Sequence, residues 1–555
     1  MILRIGLLTA FAAASIFFFV TVGISDGHSA SYNFPWAVQY LDTFNLSSFL
    51  PRHLPGLWNG LGGYDFFFYA PIPFWFVAAF VSPICFGCSP ETEFVLGTAV
   101  LWLFSGCTFY FFMRRYFDRQ GAIVGAFVYM LLPYHLWIDW FIRQAVGEFV
   151  AYAFLPLMAL GIDTVRVRAG SGWALSIGVA GVTLSHLPTA LLAAHVFGFV
   201  SICIAMQKIR ANDEPLRFLA SVSGWAVLGG LVSCFYWLPA VALLESVSSS
   251  ALYTEYNHAE RWLFGLHFDQ PNAIFSQIVF YSFLVVLPFI FASAVLSRGA
   301  VLMWALVPVS LAVILNLEVS EFIWKNWIIR NVQFPWRLML FVDFSAAIAI
   351  TFILMNKSVL RRMRAVSVLL LCAAFPIYII VSVTVATLST RFEKDSDWSG
   401  AVEYLSPEML GVVKTRSNVD LGNSIVQSRT IVAMAAIASD TADMAAAFQS
   451  FESGPRRVEV IPASNIQLLS VPVQYWELWH AELEGGGLLE LLPNPDFGTV
   501  DILAPENGFQ GRKITLTIPY QTSELVGFAV SGIAALLLAL MLFNAQFSKL
   551  TRRAR

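Results

Sequence analysis

The segment EFVLGTAVLWLFSGCTFYFFMRRYFDRQGAIVGAFVYMLLPYHLWI (93–138) contains two long apolar runs separated by a short basic loop. Each run of about 20 residues is long enough to cross the hydrocarbon core of a bilayer as one helix. The loop between them carries Arg114, Arg115 and Arg119. Because short loops rich in Lys and Arg stay in the cytoplasm, the segment predicts two antiparallel spans joined on the cytoplasmic side.

The same pattern runs through the whole chain, in which 58% of the residues are hydrophobic and only 12% are charged. It predicts a mainly α membrane protein with about twelve transmembrane helices and both termini in the cytoplasm, placed in the bacterial inner membrane. The predicted spans are 4–24, 93–113, 121–138, 149–165, 172–188, 189–206, 218–241, 273–296, 301–317, 336–355, 365–387 and 524–544.

The apolar stretch FFFYAPIPFWFVAAFVSPICF (66–86) does not fit this alternation. If it crossed the membrane, every later loop would change sides and Arg114 would lie outside the cell. It also contains Pro71, Pro73 and Pro83. We therefore interpret it as a re-entrant or interfacial segment; a thirteenth span that breaks the charge rule is the alternative.

The spans divide the chain into three regions. Residues 1–387 form the membrane module, with a long first outer loop at 25–92, and residues 524–555 form the last helix and a basic tail. Between them, 388–523 is too long for a connector and is predicted to be an extracytoplasmic domain. From about residue 455 its apolar and polar residues alternate between Gly, Pro and Asn turns, which predicts antiparallel strands in a sandwich.

Composition narrows the function classes. The net charge of −3 gives no support for nucleic-acid binding, and no phosphate-binding loop or dinucleotide fingerprint occurs, so a nucleotide-driven pump is not expected. Cys85 and Cys88 form the one C-x-x-C pair. A disulfide and two free thiols remain alternatives, whereas a zinc site lacks a second pair.

Ionisable residues at the outer ends of the predicted spans are the candidates for chemistry. Asp26 and His28 follow the first span. The Asp26 carboxylate is suited to act as a general base with His28 beside it, although a simple Asp-Gly turn that ends the helix is the alternative. Arg143 and Glu148 lie at the entry to the fourth span. The planar guanidinium of Arg143 is suited to bind a phosphate, and Glu148 to orient it or to bind a metal; an ion pair between the two that fixes the loop is the alternative.

Three further positions complete the set. On this topology Arg337 lies on the outer side, where the positive-inside rule does not place an arginine. Its charge there suggests an anionic partner such as a lipid phosphate. The alternative is an interfacial arginine beside Trp336 that extends toward water. His186, between two spans, is suited to phosphate binding or proton transfer, or is a packing histidine. Glu245 opens a loop (242–272) rich in aromatics and carboxylates, a composition that sugar sites and interfacial aromatic belts share.

Several motifs in the first two thirds of the chain have the order and spacing of a known family. They are Asp26, FLPRHLPGLWNGLGGYDFFFYAPIPFW (49–75), RRYF (114–117), R-x-A-x-x-E-x-x-A at Arg143, Ala145, Glu148 and Ala151, SHLP (185–188), FYWLPA (235–240) and QFPWR (333–337). On these motifs the chain resembles the bacterial membrane proteins labelled 6-pyruvoyl-tetrahydropterin-synthase-related and their YfhO-like relatives, which are similar to glycosyltransferases of the GT-C superfamily. Where that family often has P-R-W, this chain has Pro51, Arg52 and His53.

The resemblance implies a GT-C-type fold and an inverting transferase that takes a sugar from a polyprenyl-phosphate carrier. The acceptor would be a glycan, lipid or protein at the outer face. On this chain the resemblance makes Asp26 the base, with His28 nearby, and assigns Arg143 and Arg337 to the donor phosphate. Glu148 and His186 take supporting positions, and Tyr69 and Glu245 are further candidates for substrate binding. A divalent metal is left open as a cofactor.

Two other functions remain open. A non-catalytic transporter of lipid-linked glycans, or a cell-envelope assembly factor, would use the same arginines without needing a base. A scaffold that displays the outer domain would not need arginines on the outer side. The enzymatic interpretation requires Asp26, Arg143, Glu148 and Arg337 to come together at one outer site, about 10–15 Å across on the scale of a ligand pocket.

Overall fold

The computed structural model describes residues 2–24, 29–167, 171–248, 273–326, 328–332, 334–356, 404–417, 434, 436–441, 444, 447–509 and 511–554. Within them, a bundle of helices is followed by a β-domain and a last long helix. The α-helices are α1 (Ile2–Val22), α2 (Ala30–Thr43), α3 (Ile72–Phe76), α4 (Pro90–Met113), α5 (Arg119–Met130), α6 (Val146–Ala151), α7 (Leu155–Val167), α8 (Trp173–Ser185), α9 (Leu187–Arg210), α10 (Pro215–Val232), α11 (Cys234–Ala242), α12 (Ala273–Leu296), α13 (Gly299–Leu315), α14 (Glu321–Asn326), α15 (Met339–Met355), α16 (Pro407–Ser417) and α17 (Thr522–Ala554).

Eight helical segments in the described residues are long and apolar enough to cross a membrane, or nine if the bent pair Gly299–Leu315 and Glu318–Lys325 is one span. The structure therefore confirms a mainly α, multi-pass membrane protein. The predicted span 365–387 lies outside the described residues, so the number twelve remains a prediction. Helix α8, at 13 residues, is shorter than the span predicted for it at 172–188.

The span predicted at 218–241 is not continuous. Helix α10 ends at Val232 and α11 begins at Cys234. Gly229 and Gly230 weaken the last turn of α10, since glycine is a poor helix former. The hydroxyl of Ser233 donates to the carbonyl of Gly230 at 3.0 Å, a local bond that competes with helix continuation.

Two of the basic loops that the sequence placed on one side, those of Arg115 and Arg166, meet at one end of the bundle. Asp163 accepts from Arg115 Nε at 2.8 Å and pairs with Arg166 Nη2 at 2.7 Å. The hydroxyl of Tyr116 also donates to Asp163, at 2.7 Å, and accepts from Trp304 Nε1 at 2.9 Å. We call this the basic end of the bundle.

The stretch 66–86 does not form a full span. Its helical part, Ile72–Ile84, is about 20 Å long at 1.5 Å per residue, shorter than the roughly 30 Å hydrocarbon core. It begins as α3, continues as a π-helix (Val77–Val81) and ends in a 3₁₀ turn (Ser82–Ile84). This length favours the re-entrant or interfacial interpretation. Cys85 and Cys88, which follow it, are joined by a disulfide.

The β-domain is a sandwich of two antiparallel sheets, as the alternating pattern predicted. One sheet has the order β1-β2-β8-β4-β5 and the other β3-β7-β6. Val458, Leu469, Val500 and Leu516 are buried in the core that the two sheets share. The strands are β1 (Phe448–Gly454), β2 (Arg457–Pro462), β3 (Leu468–Gln474), β4 (His480–Leu483), β5 (Leu488–Leu489), β6 (Leu491–Pro493), β7 (Thr499–Leu503) and β8 (Ile514–Thr517).

A buried carboxylate joins the first loop, the β-domain and the last helix. Glu524, in the first turn of α17, lies 3.0 Å from Arg52 Nε of the first loop. It also pairs with Arg456 of the β-domain. Arg52 and Glu524 are both almost fully buried, and Arg52 donates to the carbonyl of Phe235 at 2.6 Å. Because buried charges must be paired, these contacts hold the first loop against the β-domain.

His53, next to Arg52, packs among aromatic rings at the same junction. Its ring is buried, with ring centroids 5.3 Å from that of Tyr64 and 5.5 Å from that of Trp479. Burial, together with the nearby charge of Arg456, lowers the pKa of His53 to about 4. The imidazole is therefore neutral in the folded protein at neutral pH.

This burial predicts a stability change with pH. Below about pH 6.5 the unfolded chain takes up a proton at His53, whereas the folded protein does so only near pH 4. Stability therefore falls as the pH decreases between these values, by up to about 1.4 kcal/mol per pH unit. His53→Phe removes this contribution, so its apparent melting temperature in detergent declines less than that of the wild type from pH 7 to 4.5. A constant difference between the two proteins across this range would refute the prediction.

The control is His480→Phe. His480 lies on β4 and is exposed. This variant is expected to follow the pH dependence of the wild type.

Candidate functional site

The candidate site begins with an unusual helix. Residues Tyr134–Ile142 form a π-helix, in which residues five apart lie above one another. This winding brings Tyr134 and Asp139 to the same face. Gln144 follows in the left-handed conformation, with a φ of 56°, and the amide of Ala145 donates to the carbonyl of Asp139 at 2.7 Å. The chain therefore reverses sharply at Arg143, and a non-glycine residue in this conformation is typical of functional sites.

Glu148 joins the side chains that converge on this turn. Its Oε2 lies 2.9 Å from Arg143 Nη1 and 3.4 Å from Arg337 Nε, and its Oε1 accepts from the Tyr134 hydroxyl at 2.6 Å. Arg143 Nη1 also lies 2.8 Å from Asp139 Oδ1. We call Tyr134, Asp139, Arg143, Glu148 and Arg337 the arginine–carboxylate cluster. All five are buried, and two positive charges balance two negative ones.

Aromatic rings fix both guanidinium groups. The Cζ atom of Arg143 lies 4.6 Å from the ring centroid of Trp336, and that of Arg337 lies 5.2 Å from the centroid of Phe334. The two rings stack on each other with centroids 4.9 Å apart. Cation–π contacts of this kind orient an arginine without consuming its hydrogen-bond donors. The burial of Arg143 disfavours its charged form, but Glu148, Tyr134 and Asp139 together more than offset this, so the pKa of Arg143 lies above its ordinary value.

Tyr69 and His186 adjoin this cluster through Gly147. A Cβ atom added to Gly147 would lie 2.9 Å from the Tyr69 hydroxyl and 3.3 Å from Cδ2 of His186. Burial raises the pKa of Tyr69, so its hydroxyl stays protonated. Burial, together with the charge of Arg337, lowers the pKa of His186 to about 3, so the ring is neutral. His186 Nδ1 accepts from the Thr189 amide at 3.3 Å, which leaves the proton on Nε2.

The beginning of helix α2 reaches the same turn. The amide of Ser29 donates to the carbonyl of Arg143 at 2.7 Å, and Asn33 Nδ2 donates to the carbonyl of Gln144 at 2.5 Å. Asp26 and His28 themselves lie outside the described residues. Their roles therefore remain predictions.

Aromatic side chains surround Tyr69 at the edge of the candidate site. The Trp36 ring centroid lies 4.4 Å from that of Tyr69 and 5.0 Å from that of Tyr32. Trp36 Nε1 donates to Asp65 Oδ1 at 3.1 Å, which orients its ring.

The structure brings Tyr69, Arg143, Glu148, His186 and Arg337 together, at the end of the bundle opposite to the basic end. Glu245 is not part of this buried group. The side chain of Glu245 is exposed, and the neighbouring Ser246 accepts from Trp476 Nε1 of the β-domain at 3.1 Å.

Asp343 is a buried carboxylate that the sequence reasoning missed. Its Oδ2 accepts from the backbone amides of Tyr134 at 2.9 Å and His135 at 3.3 Å. It therefore ties α15, which follows Arg337, to the beginning of the π-helix. The sequence feature that could have identified Asp343 is a single acid in an otherwise apolar span (LFVDFSAA, 340–347).

In the part of the chain that the structure describes, no group of three or more His, Cys, Asp or Glu side chains is placed to hold a metal ion. The arginine–carboxylate cluster offers two carboxylates, both already engaged by Arg143. A divalent metal remains an untested prediction.

Comparison with known proteins gives distant structural similarities. ArnT from Cupriavidus metallidurans, solved with undecaprenyl phosphate bound, matches with a TM-score of 0.42 and 12% identity over 80% of each chain. The Archaeoglobus fulgidus oligosaccharyltransferase in its apo form matches with a TM-score of 0.37 and 13% identity, over 76% of this chain and 59% of that one. The same enzyme tethered to an acceptor peptide matches with a TM-score of 0.37 and 12% identity.

At these scores the likeness does not by itself establish a common activity. No protein-family model matches the chain. No curated protein matches it either.

The packing around Gly147 gives a test of the site's geometry. Gly147→Ala places a methyl group 2.8 Å from the carbonyl oxygen of Ser185 and against Tyr69, so neighbouring groups must move. We expect a loss of about 2 kcal/mol of stability, which a lower melting temperature in detergent would report. The control is Gly198→Ala on α9, where an added Cβ meets nothing within 4 Å. It should be neutral or slightly stabilising, because alanine is the better helix former. Equal melting temperatures for the two variants would contradict the packing described here.

Proposed function

We propose that this protein is a membrane glycosyltransferase that moves a sugar from a polyprenyl-phosphate carrier to an extracytoplasmic glycan, lipid or protein. The observation that carries the proposal is that Arg143 and Arg337 share the carboxylate of Glu148 at the end of the bundle opposite to the basic end. Two oriented guanidinium groups at the membrane surface can donate paired hydrogen bonds to the phosphate of a lipid carrier.

The cluster is suited to a phosphate because its donors are oriented before a ligand arrives. Trp336 and Phe334 hold the guanidinium planes, and Glu148 fixes both arginines in one place. Donors fixed in advance stabilise charge that develops on a leaving phosphate without reorganising during the reaction. Tyr69 and His186, both neutral, add hydrogen-bonding groups beside Gly147 without changing the net charge.

Asp26 is the proposed general base, with His28 as its neighbour. Ser29, three residues later, bonds to the carbonyl of Arg143, which supports a position of this segment near the cluster. In the proposed reaction the acceptor hydroxyl passes its proton to Asp26 and its oxygen bonds to the anomeric carbon. The bond from that carbon to the phosphate oxygen breaks, with inversion, and its electron pair stays on the carrier phosphate beside Arg143 and Arg337.

An assay of sugar transfer tests this proposal. The purified protein is incubated with radiolabelled polyprenyl-phosphate sugars and membrane acceptors. Asp26→Asn should lower the transfer rate at least about 100-fold at unchanged protein level, as expected when a general base is lost. Arg143→Lys and Arg337→Lys should raise the KM for the lipid donor, since lysine lacks the planar fork.

Matched controls come from the same chain. Asp42→Asn changes another acid of the first loop, one whose side chain is exposed. Arg217→Lys changes an exposed arginine in a basic loop, and both controls should transfer at the wild-type rate. Full activity in Asp26→Asn would exclude Asp26 as the base. Uptake or export of the lipid-linked sugar without any transfer would favour the transporter instead.

The proposal also needs the cluster to face the outer side of the bacterial inner membrane, with the basic end and both termini in the cytoplasm. Cysteines placed at Ser47 and at Arg217, both exposed, test this in a background without Cys107, Cys203, Cys234 and Cys372. In spheroplasts a membrane-impermeant maleimide should label the cysteine at Ser47, which is in the first loop, and should not label that at Arg217. The reverse labelling would invert the topology and overturn the proposed function.

A further inference from the structure

A groove beside the β-domain shares no lining residue with the arginine–carboxylate cluster. Its volume is about 410 Å³, within the roughly 300–1,000 Å³ of ordinary small-molecule sites. It separates helix α16 from the turn between β6 and β7. Its main lining residues are Glu408, Gly411, Thr415, Asn494, Pro495 and Asp496.

One wall of the groove is a single face of α16. Glu408, Gly411 and Thr415 are spaced by three and four residues, so they lie above one another. A Cβ atom at Gly411 would meet nothing within 4 Å, so this wall is open along its middle. Met409 and Val413, on other faces of α16, are buried in the core that also contains Trp36. Packing on that side holds the wall in place.

The other wall is a rigid turn. Asn494 Oδ1 accepts from the amides of Asp496 and Phe497, both at 3.0 Å. Its Nδ2 donates to both carboxylate oxygens of Asp501, at 3.0 and 3.1 Å. Asn494 therefore builds the turn and has little capacity left for a ligand, whereas no ion pair of the Asp496 carboxylate is found in the described residues.

Arg416, at the end of the groove, is already engaged. Its Nη1 lies 2.6 Å from Asp440, its Nε donates to the carbonyl of Asp496 at 3.1 Å, and its Cζ lies 4.8 Å from the Phe497 ring centroid. With Arg416 paired to Asp440, Glu408 and Asp496 leave the groove with two excess negative charges. Phosphates, nucleic acids and other anions are therefore disfavoured.

The remaining surface combines carboxylates, a hydroxyl and aliphatic groups. Glu408 and Asp496 accept hydrogen bonds, Thr415 adds a hydroxyl, and Pro495 presents a ring. Tyr475, half-buried, lies near Glu408: burial raises the pKa of its phenol, and the charge of Glu408 contributes. Carboxylates and a hydroxyl that exchange hydrogen bonds with sugar hydroxyls, beside the apolar surface of Pro495, suit a saccharide.

We propose that this groove binds a saccharide that is neutral or carries an amine. The identification of this saccharide as the acceptor of the transfer rests on the proposed function. The existence of the binding site does not depend on it. The position fits an acceptor, because α16 packs into the core of Trp36, whose ring contacts Tyr69 of the candidate site. The groove and the site are thus connected through one buried core.

Saturation-transfer NMR on the full-length protein in nanodiscs tests the groove. The probes are cellobiose, maltose and chitobiose, with inorganic phosphate and a lysine-rich peptide for comparison. At least one disaccharide should bind, and phosphate should not. Gly411→Leu fills the groove, so it should weaken the disaccharide binding at least tenfold, and Glu408→Gln, which keeps the shape, at least threefold. Gly224→Leu is the control, because a Cβ there also meets nothing within 4 Å, on α10 and away from the groove.

The outcomes separate this proposal from the proposed function. Disaccharide binding that Gly411→Leu removes and Arg143→Lys retains supports the groove, even if no sugar transfer is ever detected. Binding of no disaccharide, or equal binding in Gly411→Leu and wild type, overturns it while leaving the transfer assay unaffected. Binding of the lysine-rich peptide alone would also overturn it and would assign the groove to a protein partner.

Discussion

The outer arrangement of this bundle depends on one buried carboxylate. Glu148 contacts Arg143 before α6, Arg337 before α15 and Tyr134 of the π-helix, so three separate segments meet at its two oxygens. In a region of low dielectric an unpaired arginine costs several kcal/mol, and Glu148 removes that cost for two of them. The position of each segment is therefore set by charge pairing as well as by apolar packing.

Glu524 likewise joins separate segments, in the outer part of the molecule. It pairs with Arg52 and Arg456, and the backbone amide of Gln474 on β3 donates to the carbonyl of Leu61 in the first loop at 2.8 Å. The first loop is therefore fixed to the β-domain on one side, while Tyr69, further along it, reaches the arginine–carboxylate cluster.

The sequence predicted the features that follow from composition and local charge. Apolar length indicated the spans, and the spacing of Arg143 and Glu148 indicated their pairing, because both signals are local. The π-helix before Arg143 was not predictable, since it depends on Asp343 capping its first amides from a distant span. The break at Ser233 was missed because the apolar run continues through it. The contact of Ser246, beside Glu245, with Trp476 joins residues 230 positions apart, which no local pattern reveals.

The two carboxylates of the cluster are not equivalent, which bears on how a phosphate would enter a neutral site. Both oxygens of Glu148 have partners, whereas Asp139 uses Oδ1 alone; its buried Oδ2 has no hydrogen-bond partner among the described residues. Asp139 is therefore the carboxylate that is easier to displace from Arg143. On the proposed function, Arg143 exchanges Asp139 for the carrier phosphate and keeps Glu148. The guanidinium then stays oriented while its second partner changes, so binding the donor does not require the cluster to be rebuilt.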